Sequence, residues 1–329
     1  MEESTWVPRD LAAAWDGEAI PPPSLCCLDD GFGLFYRGRI NGIHGEPECG
    51  KSWIAWIAVA QLLRSSEGRA LYLDYEDSEQ GATTRLQSLG VSRRDAFSER
   101  FAYVRPEEPL GMTDTDAYRD WCKLLGAQWD LVVIDSHNEA MTLEGLDPSS
   151  NKDAGVFTRR LVRPAVNTGA GILLLDHVAK NKDTRANWAL GAQQKRAMIR
   201  GASYMIENQK PFGRGLEGEA TLEIAKDTPG AVRERTGGHK TVARLTIASD
   251  GVSGRVHYHL GVPPTPHDLI LDRMRAYLIV NPGASKRALR ELSNSDLIDK
   301  LVAECVVDGR IKVEVTGTTH AHFWLEAAE

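Results

Sequence analysis

From residue 38 to about residue 262 the chain alternates short apolar runs with longer amphipathic stretches. The runs RINGIHG (39–45), ALYLDYE (70–76), FAYVR (101–105), LVVIDS (131–136) and GILLLDH (171–177) are bounded by turn-forming or charged residues. Such runs predict strands buried on both faces, the kind found in mostly parallel sheets flanked by helices. The stretches between them, 52–65, 79–90, 116–127 and 156–167, supply those helices. Further strands TLEIAK (221–226), ARLTIAS (243–249) and VHYHL (256–260) close the unit. The expected fold class is α/β with a mostly parallel central sheet.

The flanks follow different patterns. Residues 1–37 read as an irregular arm with one short helical stretch, RDLAAAW, a PPP run at 21–23 and the turn-forming DDGFG at 29–33. The proline-rich GVPPTPHD (261–268) marks a boundary, so the expected domains are 1–37, 38–262 and 263–329. After that linker come a helix over 268–281, a second opened by Ser285, a third opened by Ser293 or Ser295, and a hairpin of IKVEV and AHFWL. Three helices and then a two-stranded ribbon is the order of elements in a winged helix.

Composition narrows the picture. With 329 residues, 42% hydrophobic and 26% charged, the chain has the make-up of a globular protein with one large and one small domain. Its most tempting membrane segment, residues 53–63, is far shorter than the roughly 20 residues a span needs. The N-terminus lacks a basic and then apolar leader, so a cytoplasmic location is expected. The five cysteines (26, 27, 49, 122 and 305) show no zinc-binding spacing and are expected as reduced thiols. A net charge of −7 excludes a protein that coats nucleic acid with its whole surface, and confines any such contact to local basic loops.

The chemistry starts at GEPECGKS, residues 45–52. In GxxxxGK[ST] successive backbone N–H groups curl around phosphates, the lysine reaches the terminal groups and the hydroxyl holds Mg²⁺. Gly45, Gly50, Lys51 and Ser52 fill the fixed positions, and Glu46, Pro47, Glu48 and Cys49 the variable ones. The donors are main-chain groups, so the two carboxylates are compatible with an anion if they face outward. ATP with Mg²⁺ is the expected ligand.

Three strand ends add candidate groups. Glu76, after ALYLD, is in position to activate a water on a terminal phosphate. Asp135, at the tip of LVVID, suits a carboxylate that holds Mg²⁺ opposite Ser52. His177, after GILLLD, is in position to report on the terminal phosphate.

In this order the residues resemble the RecA-like P-loop NTPase fold, and more narrowly the RepA-type hexameric replicative helicases and related AAA family ATPases of plasmids and phages. The resemblance spans about residues 25–262. It implies a catalytic base at Glu76, paired with Asp77, and a γ-phosphate sensor at His177. It also implies a trans-acting arginine: the family's Arg-Gly-Ser-Ser segment matches RGASY at Arg200, with Ala202 replacing a serine. Related ring helicases use a Lys-x-Arg near the end of the core; here Lys226-Asp227-Thr228 lacks the second base, which leaves Lys226 and Arg233 as partners for Arg200. RadA-type recombinases, another branch of the fold, also tolerate Glu at the second position of the loop.

A homo-oligomeric ring acting on single-stranded DNA is the expected assembly, with loops near 137–152 and 180–199 facing a channel. The second loop offers Lys180, Lys182, Arg185, Lys195, Arg196 and Arg200 against Asp183, with Trp188 as a stacking surface. In the winged helix, Lys286, Arg287, Arg290 and Lys300 leave DNA or protein contact open. Two other readings stay open: a RadA-like recombination or repair ATPase, and an ATP-binding winged-helix regulator without motor activity.

Overall fold

The computed structural model describes residues 7–8, 10–17, 20–111, 114–178, 193–316 and 319–325. The chain divides into two compact units, Met1–Val262 and Pro263–Glu329.

In the first unit the apolar runs become β3 (Ile40–Gly45), β4 (Ala70–Asp74), β5 (Phe101–Val104), β6 (Leu131–Asp135) and β7 (Gly171–His177). With β8 (Ala202–Lys210), β9 (Glu217–Asp227), β10 (Thr241–Ser249) and β11 (Val256–Gly261) they form one sheet in the order β11-β10-β9-β8-β3-β7-β6-β4-β5. Pairing is parallel from β8 through to β5 and antiparallel from β8 out to β11. Register sets Gly45 opposite His177 and Asp74 opposite Asp135. Parallel strands end together, so all these residues share the carboxyl edge, where open α/β sheets bind ligands.

Each face of the sheet has its own core, because alternate side chains point to opposite faces. Ile43, Tyr72, Val133 and Leu173 pack on one side, and Leu71, Leu73, Val132, Ile134 and Ile172 on the other. The helix Lys51–Arg64 is apolar on every side, with Ile54, Ala55, Trp56, Ile57, Ala58, Val59 and Ala60 all buried. That pattern belongs to a helix enclosed by its domain.

The structure departs from the sequence pattern in several places. Within the expected irregular arm, β1 (Leu25–Cys27) and β2 (Gly33–Phe35) form an antiparallel hairpin, and Leu25, Leu34, Phe35 and Tyr36 enter the core. The Gln61 amide anchors it: Oε1 accepts the Cys27 N–H at 2.7 Å and Nε2 donates to the Cys27 carbonyl at 2.8 Å. The short pieces reach their stability through tertiary contacts, which periodicity does not reveal. Strand β8 was hidden in the stretch read for Arg200. The helix expected over 156–167 is a composite, with a π-helical turn at Thr158–Val162 between Asn151–Phe157 and Arg163–Asn167.

The second unit holds helices Pro266–Val280, Lys286–Arg290 and Ser295–Val307 and a three-stranded antiparallel sheet of β12 (Ala284–Ser285), β13 (Ile311–Thr316) and β14 (Thr319–Trp324). Its core includes Met274, Leu278, Leu289, Ile298, Leu301 and Cys305. Ser285 caps the second helix, as expected, whereas Asn294 caps the third in place of either serine. Among the described residues no helix is long and apolar enough to cross a membrane.

Candidate functional site

At Gly45, where β3 ends, no side chain fits: a Cβ would lie 2.6 Å from both Cys49 Sγ and the Ile206 carbonyl oxygen. The loop closes at Gly50, whose φ of +102° favours glycine and whose added Cβ would meet the Phe212 ring at 2.8 Å. No side chain caps the helix at Gly50, which leaves its first N–H groups available to an anion. Pro47 and Glu48 are exposed, Glu46 is half-buried, and Cys49 is buried with its thiol pKa pushed up by burial. Cys49 therefore fills space.

Lys51 Nζ donates to the carbonyls of Gly45 (3.1 Å) and Glu46 (2.7 Å) and lies 3.5 Å from His177 Nδ1. On the other side of the ring, His177 Nε2 is 3.1 Å from Glu76 Oε1. A neutral His177 with its proton on Nε2 satisfies both neighbours. The hydrogen bond from His177 holds the Glu76 carboxyl below its ordinary pKa against the effect of burial, with help from Ser136 and Lys51. Glu76 is thus ionised at neutral pH.

The Glu76 turn is shaped by Asp74, a residue the sequence reading passed over. Asp74 Oδ1 accepts the N–H groups of Glu76 (3.0 Å) and Asp77 (2.9 Å), and Oδ2 accepts the Tyr103 hydroxyl (3.0 Å). An acid buried at a strand tip and followed by polar residues is the only signal that could have found it. Asp77 pairs with Arg85 at 3.6 Å.

Asp135 is buried beside Glu76. Burial and the charges of Glu76 and Asp74 raise its pKa to about 6, opposed by hydrogen bonds from Tyr72 and Ser52. The Tyr72 hydroxyl donates to Oδ2 at 2.6 Å, and its ring stacks on Trp56 at 4.0 Å. Oxygen donors from Ser52 and Asp135, set in a concentration of negative charge, fit a hard divalent cation such as Mg²⁺.

A cavity of about 470 Å³ adjoins this loop, lined among others by Trp53, Gln80, Arg85, Phe212 and Arg214. Arg85 stacks over the Trp53 ring. Aromatic faces, an amide and two guanidinium groups make a slot suited to a flat heterocycle.

Other expected residues lie elsewhere. The Arg200 N–H bonds to the Ile40 carbonyl at the start of β3, so Arg200 sits at the amino edge of the sheet, opposite Gly45. Lys226 and Arg233 line a basin near it with Arg196, and burial together with the Arg200 charge lowers the Lys226 pKa. Lys180, Lys182, Arg185 and Trp188 lie outside the described residues. Lys195, expected in a basic loop, is instead buried and pairs with Asp176 at 3.1 Å. Buried beside each other, the two groups compensate one another's charge, a pairing that sequence spacing could not show. Of the second candidate loop, residues 137–143 form a helix with His137, Ala140 and Met141 buried.

The sequence profile described as AAA domain matches residues 3–183. No curated protein matches the chain in sequence. Among solved structures, the KaiC-like protein of the hyperthermophilic archaeon Pyrococcus horikoshii OT3 superposes with a TM-score of 0.51 at 12% identity, covering 74% of this chain and all of that one. At that identity the likeness speaks to the fold, a RecA-like α/β P-loop architecture.

Proposed function

Because this chain belongs to the AAA domain family, we propose that it is an ATP-hydrolysing RecA-like motor that assembles as a hexameric ring and acts on single-stranded DNA, as a RepA-type replicative helicase or translocase does. The observation that carries the hydrolytic part is the line Lys51, His177, Glu76 beside the Ser52 and Asp135 oxygens. In this reading Lys51 exchanges its carbonyl partners for phosphate oxygens. Glu76, ionised and anchored by the Asp74 turn, orients a water and takes its proton. His177 bridges base and lysine and is placed to sense the terminal phosphate. Mg²⁺, held by Ser52 and Asp135, supplies positive charge against the triphosphate when bound. The cavity at Trp53, Gln80 and Phe212 takes the base.

The shared-site part is supported by the position of Arg200. Six residues of strand separate it from its own phosphate loop, roughly 17–20 Å, so it serves a site on another copy or none. Lys226 and Arg233 accompany it. The resemblance to ring helicases supports single-stranded DNA as the track.

The second unit reads as a winged helix, from three helices followed by strands β13 and β14. Lys286 and Arg290 both pair with Asp299, at 3.4 and 2.5 Å, and Lys300 lies 4.0 Å from Glu304. Cations already matched to carboxylates contribute little to a polyanion footprint, which favours protein contact over groove insertion for this unit.

The test is ATP turnover with Mg²⁺, with and without single-stranded DNA, for the wild type, Lys51→Ala and Glu76→Gln. Turnover by the wild type that both substitutions abolish supports the reading. Turnover that survives Glu76→Gln removes the hydrolytic assignment, and a rate indifferent to DNA removes the motor.

A further inference from the structure

The strand end that carries His177 is tied to the far edge of the sheet by a buried ion pair that phosphate chemistry does not use. Asp176 is 5% exposed and Lys195, on the helix Gln193–Met198, is 3% exposed. Lys195 Nζ donates to Asp176 Oδ2 at 3.1 Å, and His137 Nδ1 lies 3.2 Å from the same oxygen. Asn138 accepts a further bond from Lys195. Asp176 Oδ1 accepts the His177 N–H at 2.9 Å. One carboxylate thus fixes His177 through its main chain, the helix after Asp135 through His137, and the helix Gln193–Met198 through Lys195.

From Lys195 the chain runs down the face of the sheet. Met198 and Ile199 enter the core with Ile40 and Ile172, and the Arg200 N–H meets the Ile40 carbonyl at the amino edge. The segment lies directly on the backbone of β3: a Cβ on Gly42 would come within 3.0 Å of Ile199 Cδ1 and 3.2 Å of Ser203 Oγ. A cavity of about 20 Å³, lined by His44, His137, Asp176, Lys195 and Ser203 among others, separates the pair from β3 and has room for one water. The Nε2 atom of His137 is buried there without a hydrogen-bond partner among the described residues. The packing below Lys195 is tight, whereas that beside it has slack.

We propose that Lys195 is a positioning residue that transmits the state of the subunit's own nucleotide site to Arg200, by making His177 and residues 193–200 shift as one body. This rests on the reading of His177 as phosphate sensor and Arg200 as the residue given to a neighbour. The physical reason is that a buried pair resists separation, since parting leaves two unmatched charges in a poorly solvating interior. Displacement of His177 therefore draws the helix along instead of stretching the contact, and close packing on Gly42 carries the movement to the other edge. The ATP a subunit holds would then govern the arginine it offers.

Amide hydrogen exchange over residues 193–200 of the full chain, with and without a non-hydrolysable ATP analogue and Mg²⁺, tests this. The wild type should show an exchange change of about tenfold on analogue binding, Lys195→Arg should keep it, and Lys195→Met should bind the analogue yet lose it. A merely structural lysine would alter exchange equally in both states. If Lys195→Met does not fold, Asp176→Asn with Lys195→Met retains an acceptor for the His177 N–H, strands no charge, and should lose the change too. The proposal is overturned if the uncoupled variant that folds keeps a change of wild-type size, or if the wild type binds the analogue and shows none. A wild type that binds no analogue overturns the nucleotide reading itself, and this inference with it.

Discussion

His177 Nε2 stands 3.1 Å from Glu76 Oε1 while its Nδ1 faces Lys51 Nζ at 3.5 Å, so one imidazole joins the group that would bind phosphate to the group that would activate water. Neither distance depends on sequence proximity: the three residues come from the start of the helix Lys51–Arg64, the turn after β4 and the end of β7.

Removing the imidazole should shift the pH dependence of hydrolysis. His177 is the largest influence holding the Glu76 carboxyl below its ordinary range, and burial pushes the other way. Since the base works only when ionised, the acid limb of the kcat profile should move to higher pH in His177→Ala. An unmoved limb would separate His177 from Glu76 functionally.

Glu76→Gln should lower kcat by about 10²–10⁴-fold, with ATP affinity changed only a few-fold. Rapid-quench turnover and equilibrium binding of a fluorescent nucleotide measure the two effects separately.

Asp135 should trade stability for metal binding. Its folded pKa of about 6 lies above the ordinary 3.8, so protonation favours the fold. That stability is complete below the unfolded pKa and is lost as pH rises through about 6, amounting to at most roughly 3 kcal/mol. Metal-free Asp135→Asn should therefore be more stable than the wild type at pH 7–8 by about 1–3 kcal/mol, and lose Mg²⁺-dependent turnover. Urea denaturation without metal at pH 4.5 and 7.5 checks the sign, because the advantage should shrink to about 1 kcal/mol at the lower value. Mg²⁺ affinity of the wild type should weaken below pH 6 as protons compete.

Asp74→Ala should cost about 2–3 kcal/mol, because two backbone N–H groups and the Tyr103 hydroxyl lose their acceptor. Turnover should also fall, since the turn carrying Glu76 loosens. Thermal unfolding and kcat on the same preparation test both consequences, and Asp74→Asn should recover part of each.

Mixing inactive subunits tests the shared site. Lys51→Ala and Arg200→Ala should each be inactive alone, yet regain part of the wild-type rate when co-assembled, because some interfaces then combine an intact loop with an intact arginine. Activity that never exceeds that of the separate variants rejects Arg200 as a trans-acting group.

The phosphate loop and the strand ends were legible because each joins a local pattern to a fixed position: an apolar run that stops at a polar residue marks the edge of a parallel sheet. The β1–β2 hairpin was not, since its strands are three residues each and depend on Gln61, more than thirty positions away. Strand β8 is buried in its first half and exposed in its second, so it matches neither strand pattern throughout. Lys195 was misread for a related reason. Charge in a basic stretch suggests solvent, and only the fold brings Asp176 beside it.

The helix that follows the phosphate loop has no side turned to water from Ile54 to Ala60. Directed evolution should find this segment closed to nearly every polar replacement, whereas Pro47, exposed on the crown of the loop, can accept new side chains, and Glu48, at φ +60°, those unbranched at Cβ. The outer rim can therefore be rebuilt while the floor beneath it stays fixed.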